Sequence, residues 1–535
     1  MTSLPRSRNH AAVRTALRAG EGSLGPKTRA AILLASAFLI ALQTLASLSP
    51  DSPLDRKRYG IRWTSGLKNP WVYAFGLRYW GVFPVYSTFV LAEEDCGRFG
   101  PEYARRVLRE AGESLRMEYR HTARTGDSLK LYLPWLAGAL FRQPVSPAAV
   151  GESLKLFAAA AFLLSLYCLL YQFSAIDRPI LGALTAVFIA SSEFQAVEIA
   201  RGNVFSYPIT TAVFAIALLA PLAFNLARRT GALLIRLALL AGIIALAGNI
   251  RPTAAALLPA PVLVLLLYRP LPPLRRAAAA AAFLLLAAGW HLGIRAYFDH
   301  KWEEAESFVR EHGGTPYCGH RIHNHGFWHP IWCGLGDFDI THGYAWRDWE
   351  AWAYAKKIMR ARGIELKNLE PAAEGNLRDA GAYFKIDTHP GYESILRDKV
   401  LADIAADPFW YGGILGRRLH KIVAEWQDVR LNLVGWAPAL PSSFWFYLPV
   451  CVLLLFLGMG GELKLILTAS FTGLPALAVT TITNAQYYFI GHLVCAAVAA
   501  ACLINAGLAA CRKTAKPRAP GADGSAETRG RGGRR

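Results

Sequence analysis

Apolar and polar positions alternate along this chain in long blocks. Apolar runs of the length that crosses a bilayer as a helix, about 17–25 residues, fall near 30–49, 152–173, 179–197, 205–225, 232–249, 253–268, 277–296, 443–459, 464–482 and 485–509. With the N-terminus inside, the inward connections hold Arg178, then Arg228 and Arg229, then Arg269, Arg275 and Arg276, then Lys464, then a basic tail. Each is short and basic, as positive-inside bias requires, and an even number of crossings returns the C-terminus to the same side. The pattern predicts an all-α polytopic membrane protein of about ten transmembrane helices with both termini in the cytoplasm. Ala30–Ser49 exceeds the apolar stretch of a cleaved signal peptide and is read as the first membrane helix.

Two large segments interrupt the alternation, 50–151 and 297–441, and both fall outside. The chain then divides into a basic cytoplasmic tail (1–29), a transmembrane core (30–296) that includes the first outer loop, an extracytoplasmic soluble segment (297–441), C-terminal transmembrane helices (442–511) and a second basic tail (512–535). Trp71–Ala92 is aromatic, with Arg78 its only charge. Its Gly76, Gly81 and Pro84 favour a segment lying at the membrane interface over an eleventh span. Segment 297–441 predicts helices near 347–362 and 392–405, with turns at Gly313-Gly314, His389-Pro390-Gly391 and Gly412-Gly413.

Composition agrees. Hydrophobic residues are 53% of the 535 and charged ones 18%, against roughly a quarter in soluble chains. That excludes a soluble globular protein and a disordered one. The net charge is +20, and its excess gathers in the two tails, before the first apolar run and after the last. A basic tail directly after an apolar run is a topology determinant, so no nucleic-acid partner is expected. Arginine far outnumbers lysine, which points to a GC-rich bacterial source. Cys96, Cys318 and Cys333 lie outside, where a disulfide is permitted; Cys318 with Cys333 is the pairing that proximity suggests.

Three groups could carry chemistry. The densest runs from Cys318 through His320, His323, His325 and His329 to Cys333, Asp337 and Asp339. Its spacing matches no closed zinc site, so a polar, aromatic substrate-binding loop is expected and no resident metal or other cofactor; a metal site and a purely structural loop are the competing readings. A second group, Glu193, Glu198, Arg201 and Arg251, sits at the outer ends of the spans, where ionisable side chains either share an interior pocket or snorkel to the interface. The third is the acidic content of the first outer loop: Asp51, Asp55, Glu93, Glu94, Asp95 and Asp127.

The segment from Gly126-Asp127 through Tyr132, Pro134 and Trp135 to Phe141 resembles the loop before the second helix of the C-type (GT-C) membrane glycosyltransferases. His325–Asp339 with Gly343-Tyr344-Ala345-Trp346-Arg347-Asp348 is similar to segments of bacterial members, and the arrangement of spans and outer segments over roughly 30–350 resembles that family as a whole, mannosyltransferases and aminoarabinose transferases included. One departure matters: no acidic pair follows the first helix directly. Asp51 stands alone and Glu94-Asp95 comes late.

The resemblance implies a transferase moving a sugar from a polyprenyl-phosphate donor to an extracytoplasmic glycan, lipid or protein, at a bacterial cytoplasmic (inner) membrane. One carboxylate, Asp127, Asp95, Glu94 or Asp51, would take the acceptor proton. Arg201 and Arg251 would stabilise the departing phosphate, with Glu198, His323, His325, His329 and Asp337 lining the substrate site. A transporter or flippase, or a non-catalytic membrane scaffold with an outer binding segment, is the alternative.

Overall fold

The computed structural model describes residues 24–48, 76–82, 101–111, 147–200, 209–226, 230–314, 326–338, 341–364, 386–424, 427–431, 439–442, 444–456 and 459–480, with isolated positions between and beyond them. In chain order the helices are α1 (Pro26–Leu48), α2 (Pro101–Ala111), α3 (Pro147–Ala175), α4 (Pro179–Ala190), α5 (Glu193–Ala200) and α6 (Ile209–Ala223), then α7 (Thr230–Ile250), α8 (Pro259–Leu266) and α9 (Pro273–Glu311). The segment expected outside, called the outer unit below, contributes α10 (Trp328–Leu335), α11 (Asp348–Ala361), α12 (Tyr392–Ala406) and α13 (Pro408–Ala424). Last come α14 (Phe444–Phe456), α15 (Gly460–Ser470) and α16 (Leu474–Ala478), followed by an apolar helix at Gly491–Ala501. The expected all-α character needs one small amendment, a ladder of β1 (Gln427–Arg430) antiparallel to β2 (Ala439–Ser442).

Every apolar run carries helix. Among the described residues, four helices are long and apolar enough to cross a membrane: α1, Gly151–Ala175 within α3, Gly231–Ile250 within α7, and α9. Others are shorter or broken. The run at 179–197 divides at Ser191-Ser192 into α4 and α5, the run at 253–268 opens as a 3-10 turn (Pro252–Leu257) before α8, and the run at 464–482 passes from α15 through Phe471–Gly473 into α16. Pro252, Pro259 and Pro475 each stand at the first or second position of a new segment, because proline has no N–H to continue the preceding ladder but fits the first turn of a helix. Hydropathy weighs side chains only and runs straight through such breaks.

All of α6 is buried, as an all-apolar helix requires. It joins two apolar clusters, one shared with α1, α3, α4, α15 and the Gly491–Ala501 helix, the other with α7, α8 and α9. At one end of this helix layer, Arg29 before the second turn of α1 pairs with Asp177, in the turn after α3, at 2.5 Å. Lys464, near the start of α15, donates to the carbonyls of Ala223 (3.4 Å) and Leu267 (3.5 Å), at the ends of α6 and α8. Connections that the charge pattern assigns to one side therefore meet.

At the other end, α9 continues for 39 residues, about 58 Å at 1.5 Å per residue, against a hydrocarbon core of about 30 Å. The outer segment expected from Tyr297 thus begins as a rigid extension of a membrane helix. It stops where Gly313 turns left-handed (φ +71°) and Gly314 N–H donates back to Val309 O at 2.8 Å, a glycine C-cap. Trp80, in the single turn Gly76–Trp80, packs with its ring centroid 5.9 Å from that of Phe308 on this extension and donates to Ala104 O of α2 at 3.3 Å; apart from 76–82, Trp71–Ala92 lies outside the described residues.

Helices α10–α13 have a core of their own, built on Trp332, Tyr344, Met359, Tyr392, Leu396 and Ile414. The expected helices at 347–362 and 392–405 are α11 and α12. The expected turn at Gly412-Gly413 is not there: both lie inside α13. Two mid-helix glycines cost about 2 kcal/mol in propensity, and burial of Trp410, Ile414 and Arg418, four residues apart on one face, outweighs it.

Candidate functional site

Neighbours of three expected site residues gather around the N-terminal half of α3, the end expected to face outside. Leu129 and the partly buried Tyr132 pack with Ala158 of α3, Ala247 and Ile250 of α7, and Ala254 and Phe298. Tyr132 and Tyr297 hydroxyls are 2.8 Å apart. One turn along α3, Leu154 and Lys155 touch Gly202, whose φ of +65° and close approach leave no room for a side chain: a Cβ there would sit 2.8 Å from Leu154 Cβ. The cluster thus brings together Leu129, two residues after Asp127; Gly202, next to Arg201; and Ile250, next to Arg251.

Arg251 itself is exposed, in the extended residue before the Pro252–Leu257 turn. Close by on α7, the buried Asn249 amide reaches His291 Nδ1 of α9 at 2.9 Å. Glu198 is buried on α5. Asp51, Glu94, Asp95, Asp127, Arg201, His320, His323 and His325 lie outside the described residues.

The expected substrate loop is, from Trp328 on, a helix. Its N-terminus is capped from a distance: Trp328 N–H donates to the Glu393 carboxylate at 2.7 Å, and Gly326 makes room for it, since a Cβ would fall 1.8 Å from Glu393 Oε1. His329 follows. Its Nδ1 lies 2.5 Å from the buried Tyr392 hydroxyl, its Nε2 3.1 Å from Asp348 Oδ1 and 3.8 Å from Cys333 Sγ. Burial alone would lower the imidazole pKa; the hydrogen bonds with Asp348 and Cys333 outweigh it and hold it up to about 10. Cys333 is a buried free thiol, so the suggested pairing with Cys318 is not formed; its sulfur faces His329 instead.

Asp337, just past α10, has a fully buried side chain and faces Arg418 of α13, equally buried. Its other carboxylate oxygen accepts from Thr480 Oγ1. Arg418 also donates to Leu477 O (3.2 Å), Ala478 O (3.1 Å) and Gly334 O (2.6 Å). The last carbonyls of a helix have no partner within it, and here a guanidinium from the outer unit supplies one to the end of α16. Asp337 is thus a joint between the outer unit and the helix layer, not an open substrate contact. Tyr344, from the stretch that resembles glycosyltransferases, is likewise a core residue: its hydroxyl donates to Asp403 at 2.7 Å, and Lys399 donates to the same oxygen at 2.6 Å.

Sequence reasoning passed over a basic cavity of about 430 Å³ on α13, lined by Phe338, Gly416, Arg417, His420, Lys421 and Ala424. The next turn docks on the apolar layer, where His492 Nε2 lies 2.8 Å from Ile422 O. Arg417, His420 and Lys421, three and four residues apart, share one helix face, which is the signal that 408–424 carries for it. Comparison of the chain with protein-family models, with curated proteins and with solved structures finds no match.

Proposed function

We propose that this chain is a ten-span membrane glycosyltransferase of the C-type kind, taking a sugar from a polyprenyl-phosphate donor at the outer face of a bacterial cytoplasmic membrane. The observation that carries the reading is the cluster at the outer end of α3, which holds residues within one or two positions of Asp127, Arg201 and Arg251 in one place. A sugar phosphate is already activated, so the chain needs a carboxylate to accept the acceptor hydroxyl's proton and cations for the leaving phosphate. Asp127 is the base in this reading, ahead of Asp51, Glu94 and Asp95, because Leu129 and Tyr132 are built into that cluster. Arg251, exposed at the end of a membrane helix, faces the phosphate. The contacts of Arg29 with Asp177 and of Lys464 with Ala223 and Leu267 fit each group of ends lying on one side, cytoplasmic in this reading.

A transporter or flippase has one observation in its favour, the broken apolar runs at Ser191-Ser192, Pro252 and Phe471–Gly473, since transporters build midplane sites from broken helices. One experiment separates the two. Purified chain in liposomes is given a polyprenyl-phosphate sugar and an extract of envelope lipids and glycans. The transferase releases polyprenyl phosphate and adds a sugar's mass to an acceptor. Movement of the intact lipid-linked sugar between leaflets, with no polyprenyl phosphate released, selects the transporter.

A further inference from the structure

The outer unit brings a nitrogen, a sulfur and an oxygen donor to one point. His329 and Cys333 stand four residues apart on α10, hence on one face, and Asp348 opens α11. His329 Nε2 is 3.1 Å from Asp348 Oδ1 and 3.8 Å from Cys333 Sγ, and all three ligand atoms lie within 4.8 Å of one another. A tetrahedral zinc ion, with bonds of about 2.0 Å to nitrogen and oxygen and 2.3 Å to sulfur, spaces its ligand atoms about 3.3–3.6 Å apart. Two sides of the triangle are close to that. The third closes by rotation of the Asp348 carboxylate, whose side chain is 62% exposed.

The surroundings are those of a ligating histidine. Metal-bound imidazoles engage their second nitrogen with a fixed polar partner, which sets the ring and its tautomer; here the buried Tyr392 hydroxyl holds Nδ1 at 2.5 Å and aims Nε2 at the cysteine and the aspartate. Glu393, the next residue along, is held on the Trp328 N–H, so α12 fixes both the head of α10 and the imidazole. Thiolate, imidazole and carboxylate together suit zinc, whereas calcium and magnesium prefer oxygen alone.

We propose that His329 Nε2, Cys333 Sγ and Asp348 bind a zinc ion, leaving its fourth position on the exposed Asp348 side for water or an anionic oxygen of a ligand. On binding, zinc takes the place of the Cys333 thiol proton and of any proton on His329 Nε2, and both leave to solvent. The inference does not depend on the glycosyltransferase reading: it concerns α10–α12 alone, and its test reads metal, not sugar transfer.

The test uses the full chain purified in detergent, stripped with chelator, incubated with zinc or cobalt and desalted. Expected are one zinc per chain by elemental analysis and, with cobalt, a thiolate-to-metal charge-transfer band in the near ultraviolet. Cys333→Ser abolishes the band, and Asp348→Asn, at an exposed position that leaves the fold intact, weakens zinc affinity at least about tenfold. Cys451→Ser, in α14, leaves both unchanged. Zinc below a tenth of an equivalent in the unmodified chain, or full zinc retention by both Cys333→Ser and Asp348→Asn, overturns the proposal, and His329 is then a structural residue satisfied by Tyr392 and Asp348.

Discussion

Arg418 and Asp337 form an ion pair, 3.6 Å between Nε and Oδ2, with no part of either side chain exposed. Three further carbonyls, Gly334, Leu477 and Ala478, accept from the same guanidinium. The pair fastens the outer unit to the end of α16. A buried charge left without its partner costs about 3–5 kcal/mol. Arg418→Met is therefore expected to destabilise the chain by about that much, because it strands Asp337 and three carbonyls together. Replacing both, Arg418→Met with Asp337→Leu, should cost less than the two single changes added. Thermal unfolding in detergent across this double-mutant cycle checks it; additive losses would mean that the two residues act independently.

Two glycines of the outer unit should respond in opposite directions to the same substitution. A Cβ on Gly334 would lie 1.8 Å from Val479 O, a backbone atom that cannot swing aside, whereas one on Gly412 meets nothing within 4 Å. Gly334→Ala forces α10 off the end of α16 and is expected to destabilise by more than about 2 kcal/mol. Gly412→Ala, inside α13, is expected to stabilise by about 0.5–1 kcal/mol through helix propensity. Melting temperatures of the two variants moving in the same direction would contradict the packing described.

Much of this was legible in the sequence, and the reasons for the rest are specific. The helices within the apolar runs, α11 and α12 follow from side-chain periodicity, which is a property of single segments. The breaks at Ser191-Ser192 and Phe471–Gly473 did not show, because backbone hydrogen bonding decides them. Gly412-Gly413 misled because a local preference lost to burial of Trp410, Ile414 and Arg418. The pairing of Asp337 with Arg418, and of His329 with Asp348 and Tyr392, is tertiary: the partners come from different helices, and no spacing rule connects them. His329 was singled out for its company of histidines, but the residues that orient it are a tyrosine and an aspartate from later in the chain.

Asp403 supplies a pH dependence with a definite sign. Burial alone would raise its pKa, but hydrogen bonds from Lys399 and Tyr344 outweigh this and hold it below the usual carboxylate range. A group whose folded pKa is depressed contributes stability above its unfolded pKa, near 3.9, and loses it as pH falls through the folded value. The contribution is constant around neutrality and declines only below about pH 4. Asp403→Asn is thus expected to be less stable at pH 7 and to show a shallower loss on acidification. Acid titrations followed by tryptophan fluorescence check this; identical acid slopes would remove Asp403 from the account.

The sidedness of the helix layer is open to a direct measurement. Leu274, in the first turn of α9, is 83% exposed, and Trp349, in the first turn of α11, is 58% exposed. In a chain stripped of its eight native cysteines, Trp349→Cys is expected to react with a membrane-impermeant maleimide in intact cells. Leu274→Cys should react only after permeabilisation. The reverse result inverts the membrane orientation and removes the donor site from the outer face.

The roles proposed for Arg251 and Asp127 separate binding from chemistry. A cation that contacts the donor phosphate stabilises bound donor and departing phosphate alike, so Arg251→Ala should weaken donor binding and slow transfer. Loss of such a charge-assisted contact in a partly dry site costs about 2–4 kcal/mol, roughly 30- to 1000-fold in rate. Arg251→Lys keeps the charge without the planar fork and should recover part of the loss. Asp127→Asn is isosteric but cannot accept a proton, so transfer should fall to background while donor binding stays within a few-fold of the unmodified chain. The basic face of α13 provides the comparison. Arg417 and Lys421 line a cavity between α13 and Phe338, and if the donor phosphate sat there, Arg417→Ala with Lys421→Ala, not Arg251→Ala, would carry the large binding loss. Donor binding by a fluorescent polyprenyl phosphate and transfer by mass analysis, measured on all four variants, decide between the two positions; Asp127→Asn transferring sugar at the unmodified rate would take the base out of the first outer loop's 127 position altogether.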